Sequence, residues 1–157
     1  MSRSLDLQSR VSQAIPTMTQ RAKYFVVLLY GLIYLAAFCL PAGKNSAVML
    51  GWEAFLSALV LCWCLPMWWA NPLSWLAAWF VMKGKPQAAM LVSVLAILFA
   101  LSQPLMLPAD SPDGYGYELL MGYYVWLGSF IWLGVMSTVH AVWQVIAERN
   151  GSTVLAH

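Results

Sequence analysis

Between Glu53 and Lys83 the chain carries no charged residue. The run reads WEAFLSALVLCWCLPMWWANPLSWLAAWFVMK from Trp52 to Lys83. At the helical rise, roughly 30 residues reach roughly 45 Å, against a hydrocarbon core of about 30 Å. One straight membrane helix therefore does not fit, and a break is expected at Trp68-Trp69-Ala70-Asn71-Pro72. Asn is a favoured N-cap, and Pro is favoured at the first helical position because its missing N–H has no partner there. This predicts a membrane helix down to Trp69, a turn, and a short second helix over residues 72–82. Trp75 and Trp79 share one face of that second helix by their four-residue spacing, with Phe80 beside them. Lys83-Gly84-Lys85-Pro86 stops it.

Composition places the whole chain in the same solvent. Of its 157 residues, 62% are hydrophobic and 9% charged, where soluble domains run near about 25% charged. That predicts an integral membrane protein of all-α class. The net charge of +2 is too small to point to nucleic acid. Cys39, Cys62 and Cys64 fall in apolar runs, where free Cys is expected to act as a small buried hydrophobe. Cys62-Trp63-Cys64 does not have the C-x-x-C spacing of a thioredoxin-like redox pair.

Residues 1–23 form a polar cytoplasmic segment carrying Arg3, Arg10, Arg21 and Lys23 against Asp6. Leu7, Val11, Ile15 and Met18 recur at the spacing of one helix face, with Pro16 interrupting the pattern. Phe38-Cys39-Leu40-Pro41 lacks a small-residue cleavage site, so the first apolar run reads as an uncleaved anchor. Residues 24–147 read as a single four-span domain with spans at about 24–41, 47–69, 87–107 and 119–146. The segment 72–82 lies between the second and third as an interfacial helix, because about 11 residues reach only about 16 Å. Residues 148–157 form a cytoplasmic tail, with Gly151 ending the last helix. Lys and Arg in short loops mark the cytoplasmic side. Arg3, Arg10, Arg21, Lys23, Lys83, Lys85 and Arg149 then lie on one side and Lys44 on the other, with both termini inside. Trp68, Trp69, Trp75, Trp79, Lys83 and Lys85 are the expected interfacial anchors.

Candidate sites are few. His140 is the titratable residue that lies well inside an apolar run, and intramembrane ionisable groups mark function by default. A position near the cytoplasmic headgroups is the ordinary structural explanation. A haem pair would need a second intramembrane histidine, and the other one is His157. No metal set and no cofactor are expected. Glu53, near the outer end of the second span, either pairs with Lys44, reaches the interface, or lines a cavity between spans. Asp110, Asp113 and Glu118 belong to a Pro/Asp/Gly loop of ordinary turn composition. Gly122, Gly128 and Gly134 form no single small-residue seam, since six residues turn a helix by about 600°. They suit close packing within the chain or against a partner. There is no Ser/His/Asp set, Gly-rich phosphate loop or basic-aromatic nucleic-acid surface, so no enzyme is expected.

The W-A-N-P segment at Trp69–Pro72, the K-G-K at Lys83–Lys85 and the G-Y-Y-x-W at Gly122–Trp126 resemble small bacterial inner-membrane proteins of unknown function. The resemblance covers residues 24–147. It implies a multi-pass protein of the bacterial inner membrane and assigns no chemistry to any residue. Two functions remain open. The first is a non-enzymatic accessory or interaction subunit of a membrane complex, with a protein partner or self-association in the lipid. The second is transport or binding of an apolar small molecule or lipid between the helices, using Glu53, Tyr123, Tyr124, Trp126 and His140.

Overall fold

The computed structural model describes residues 18–44, 47–60, 65–106 and 118–154. The expected face of Leu7, Val11 and Ile15, the Asp110/Asp113 loop, and Cys62 and Cys64 lie outside the described residues. The elements in order are α1 (Gln20–Cys39), β1 (Pro41–Lys44), β2 (Val48–Leu50), α2 (Gly51–Val60), a 3-10 turn (Pro66–Trp69), α3 (Ala70–Met82), α4 (Pro86–Leu101), the one-turn α5 (Gln103–Met106), β3 (Glu118–Leu119) and α6 (Met121–Val154). The chain is mostly helical, and α1, α3, α4 and α6 pack on one another as a bundle. Among the described residues, two helices are long and apolar enough to cross a membrane: α1, and α6 over Met121–Ala147.

Thr19 starts α1 as a side-chain cap, its hydroxyl accepting from Ala22 N–H at 3.3 Å. Pro41 ends it, because a residue before proline is pushed out of helical geometry, and Leu40 is extended (φ −97°, ψ 153°). The segment after α1 departs from an all-α chain. β1 pairs antiparallel with both β2 and β3 in a three-stranded sheet of order β2-β1-β3. Pro41 occupies the first strand position, where its missing donor costs least, and an irregularity between Pro41 and Gly43 bends the strand. Lys44 is registered opposite Glu118, a favourable cross-strand charge pairing. Glycines bring the helix starts down onto this cap. A Cβ on Gly122 would meet Pro41 O at 2.8 Å, and one on Gly51 would meet Phe38 Cα at 2.8 Å.

The expected second span over 47–69 is corrected by this cap. Its first residues are β2, and the described α2 is ten residues with none buried, about 15 Å long. The helical path into the bundle begins instead at Pro66, at the first turn of the 3-10 segment, and continues through α3 to Met82. Together these reach about 27 Å by the usual rises. The break therefore lies before Pro66 rather than at Asn71-Pro72. Pro72 is tolerated because it sits in the first turn of α3. Its absent N–H would have served Trp68 O, and Asn71 Nδ2 donates to that carbonyl instead, at 3.3 Å. The segment expected as a peripheral helix over 72–82 is thus part of the bundle, packed along α4. At the far end, α6 runs past Gly151 to Val154. A single glycine within a helix costs only about 1 kcal/mol, too little to end one already extended over about eight turns.

Inside and outside are sorted in an unusual way. The buried positions of α4 are Pro86, Ala89, Ser93, Ala96 and Ala100; those of α3 include Ala70, Ser74, Ala77 and Ala78. Small residues at three- and four-residue steps let helix backbones approach closely. Large apolar residues point outward: Leu28, Leu32 and Leu35 on α1, Leu91 and Leu98 on α4, Val135 and Val142 on α6. Buried hydroxyls are satisfied within their own helices, as with Ser93 to Ala89 O (2.7 Å) and Ser137 to Leu133 O (2.7 Å). Phe130 and Leu133 of α6 are the largest side chains held fully inside among the described residues. Phe130→Ala is expected to cost about 3–5 kcal/mol, whereas outward Leu98→Ala costs well under about 1 kcal/mol. Unfolding titrations of the detergent-solubilised protein with a denaturing surfactant measure both.

Candidate functional site

Polar side chains in the bundle converge on Asn71. Its Oδ1 accepts from Tyr34 Oη of α1 at 2.8 Å and from Trp126 Nε1 of α6 at 2.9 Å. One turn on, Ser74 Oγ donates to Asn71 O at 2.8 Å and lies 2.8 Å from Tyr30 Oη of α1. Asn71 is 4% exposed and Ser74 fully buried, so these bonds operate away from water, where each is strong and each unmade one is costly. The geometry follows from helical spacing: Tyr30 and Tyr34 are four residues apart and Asn71 and Ser74 three, which stacks each pair on one face. Aromatic rings close around the knot. Phe130 stacks edge-on to Trp126 at 4.7 Å, and Tyr34 meets Trp75 at 6.4 Å. Two further bonds fasten α6: Tyr123 Oη to Ala100 O (3.1 Å) and Trp132 Nε1 to Val26 O (3.2 Å).

Above the knot, beneath the small sheet, lies a cavity of about 310 Å³. Its walls are mostly apolar, with Phe38, Phe55, Ala58 and Met67 among them, and its polar lining includes Ser57, Trp68, Asn71 and Gln103. Trp68 Nε1 is a buried donor with no hydrogen-bond partner among the described residues. A second cavity of about 230 Å³ opens at the opposite end, between α1, the α3–α4 turn and α6.

The five candidate residues separate accordingly. Tyr123 and Trp126 line the upper cavity. Tyr124 is 57% exposed on the outer face of α6. Glu53 is spent on structure: as the third residue of α2 it accepts Leu50 N–H at 2.8 Å, an N-terminal cap favoured also by the helix dipole. His140 lines the lower cavity, with its Nε2 buried and unpartnered among the described residues. Of the expected anchors, Trp69, Trp75 and Trp79 are exposed, as are Lys83 and Lys85, and Lys83 Nζ sits over the Trp79 ring at 5.5 Å. Trp68 departs from that set as a cavity wall. Cys39, expected to be buried, is an exposed free thiol.

Sequence reasoning missed Asn71 as a hub because its place before Pro72 suits a cap equally well. The available signal is that Asn71, Ser74, Tyr30 and Tyr34 are hydrogen-bonding residues at helical spacing inside uncharged runs, where such groups usually face another helix. Comparison with known protein families, curated proteins and solved structures returns no match.

Asn71→Leu leaves the Tyr34 hydroxyl and the Trp126 indole N–H without their acceptor, at about 1–3 kcal/mol each. The expected result is a large fall in thermal stability in detergent. Adding Tyr34→Phe and Trp126→Phe to the same chain should restore part of it, because the stranded donors are then gone. Melting curves of the single and triple variants check this.

Proposed function

We propose that this chain is a multi-pass membrane protein that holds an apolar small molecule or lipid in the cavity beneath the sheet. The observation that carries this reading is the cavity's composition: about 310 Å³ of mostly apolar lining beside Trp68, whose Nε1 donor is buried and unpartnered among the described residues. Ligand sites have this character, an apolar container with a few placed polar groups. The preferred ligand is a lipophile bearing a carbonyl, ether or hydroxyl oxygen to accept from Trp68, with Asn71 and Gln103 as further polar contacts. Its polar groups are the amides of Asn71 and Gln103, the indoles of Trp68 and Trp126, the Tyr123 phenol and the Ser57 hydroxyl, a set suited to hydrogen-bonding a ligand.

A membrane setting is supported by the outward belt of Leu, Val and Trp side chains around an Ala/Ser interior. Water does not tolerate apolar patches of that extent, whereas lipid does. In this reading the four spans are α1, residues 66–82, α4 and α6. Their ends differ in charge. Arg21, Lys23, Lys83 and Lys85 gather at one end, which is therefore cytoplasmic; Lys44, Glu53 and Glu118 gather at the other. The bacterial inner membrane is the compartment to which the resemblance points. The accessory-subunit reading draws on the glycine-bearing face of α6. Two of those glycines are used inside the chain, Gly122 against Leu40 and Pro41 and Gly134 against Ser93 and Ile97, while a Cβ at Gly128 would meet nothing within 4 Å.

Native mass spectrometry of the gently extracted protein tests the proposal. The expected spectrum shows one lipophilic adduct per chain, lost in an Ala58→Trp variant that fills the cavity while the melting temperature holds. A wild-type chain without an adduct, bound instead to a stoichiometric protein partner, would return the weight to the accessory-subunit reading.

A further inference from the structure

The lower cavity is chemically unlike the upper one. Lys23 and His140 line it from α1 and α6, Lys83 and Pro86 from the α3–α4 turn, and Gln144 from the next turn of α6, with no carboxylate among the lining residues. The turn is shaped by Gly84, which adopts φ +69°, a backbone state that favours glycine. Lys23 Nζ rests against it; a Cβ at residue 84 would lie 2.9 Å from that ammonium. Pro86 opens the 16-residue α4, so the amides of Gln87 and Ala88, which have no intrahelical acceptor, add the positive end of a helix dipole. His140 Nε2 lies buried without a partner among the described residues. The floor is apolar, from Val26, Val81 and Met136.

We infer that this cavity binds a phosphate ester group, and that its source is the headgroup of an anionic glycerophospholipid in the cytoplasmic leaflet. The phosphate chemistry follows from Lys23, the His140 imidazole and the start of α4, with Lys83 at the rim, where its ammonium lies over the exposed Trp79 ring at 5.5 Å. The lipid source rests on the membrane orientation proposed above, which puts this end at the headgroup level; the apolar floor then receives the first carbons of the acyl chains. Basic pockets between spans on the cytoplasmic side are suited to such headgroups. The site is separate from the upper cavity and takes a ligand of opposite character.

The test is made on the full chain in nanodiscs of mixed phosphatidylglycerol and phosphatidylcholine, with native mass spectrometry after detergent exchange. Retention of phosphatidylglycerol over phosphatidylcholine is expected. In a Lys23→Gln/Lys83→Gln chain it should fall about 10- to 30-fold, the loss of two near-surface cationic contacts. Lys44→Gln, at the opposite end, should bind as wild type, and Lys23→Arg should retain binding. A parallel arm offers glycerol 3-phosphate and inorganic phosphate to the protein in pure phosphatidylcholine. Saturable binding there, lost in the double variant, without lipid preference, would keep the phosphate site and assign it a soluble source. No binding in either arm, or equal binding by the double variant at unchanged melting temperature, would overturn the inference. Ligand loss in the Ala58→Trp chain leaves this result untouched, so the two proposals fail separately.

Discussion

A single amide oxygen, Asn71 Oδ1, takes hydrogen bonds from two other helices, Tyr34 on α1 and Trp126 on α6. In the membrane setting proposed above, helices surrounded by lipid gain little from hydrophobic association, because the solvent is as apolar as their side chains. Close packing and buried polar contacts must then specify which faces meet. The Ala and Ser positions of α3 and α4 supply contact but little uniqueness, since one row of small residues resembles the next a turn away. Asn71 supplies register: sliding α3 by one turn, about 5.4 Å, would strand both donors. Its other end repairs the helix, giving Trp68 O the hydrogen bond that Pro72 cannot give. The residue that joins the helices also permits the proline beside it.

That double use explains what is legible in the sequence and what is not. The apolar runs, the turn at Lys83–Pro86 and the positions of α1 and α6 are legible because they depend on local properties: length, charge and breakers. The outward placement of Trp75 and Trp79 follows from four-residue spacing in the same way. The start of α3 is harder to place because two prolines, Pro66 and Pro72, each carry a plausible start signal. The choice between them depends on a side chain reaching a carbonyl three residues back and on what α1 and α6 present to it. The sheet is invisible for a related reason. β1, β2 and β3 are four, three and two residues long, too short for alternation to register, and the Lys44–Glu118 pairing joins residues 74 positions apart in the chain.

The candidate residues show the same division. Tyr123 and Trp126 are recognisable as aromatic residues near a helix start, and they line the upper cavity. Glu53 draws attention as an acid at the edge of an uncharged run, yet its position as third residue of α2 predisposes it to cap that helix. Lys23 and His140 are more than a hundred residues apart, and only the folding of α1 beside α6 places them around one cavity. The bundle thus carries two pockets of different polarity at opposite ends, separated by the Asn71 knot, each built by elements distant in sequence.

The inverted sorting of side chains also bears on how stability should vary with temperature. A soluble domain unfolds by exposing apolar surface to water, which produces a large heat-capacity change and a strongly curved stability profile. Here Leu28, Leu98 and Val135 already face outward in the folded chain, and in the membrane setting proposed above separating the helices would expose their inner faces, Phe130 and Leu133 with the Ala and Ser positions, to lipid and not to water. Little new apolar surface would meet water. The heat-capacity increment should be small for a chain of this size, the stability curve nearly straight, and cold unfolding absent from any accessible temperature.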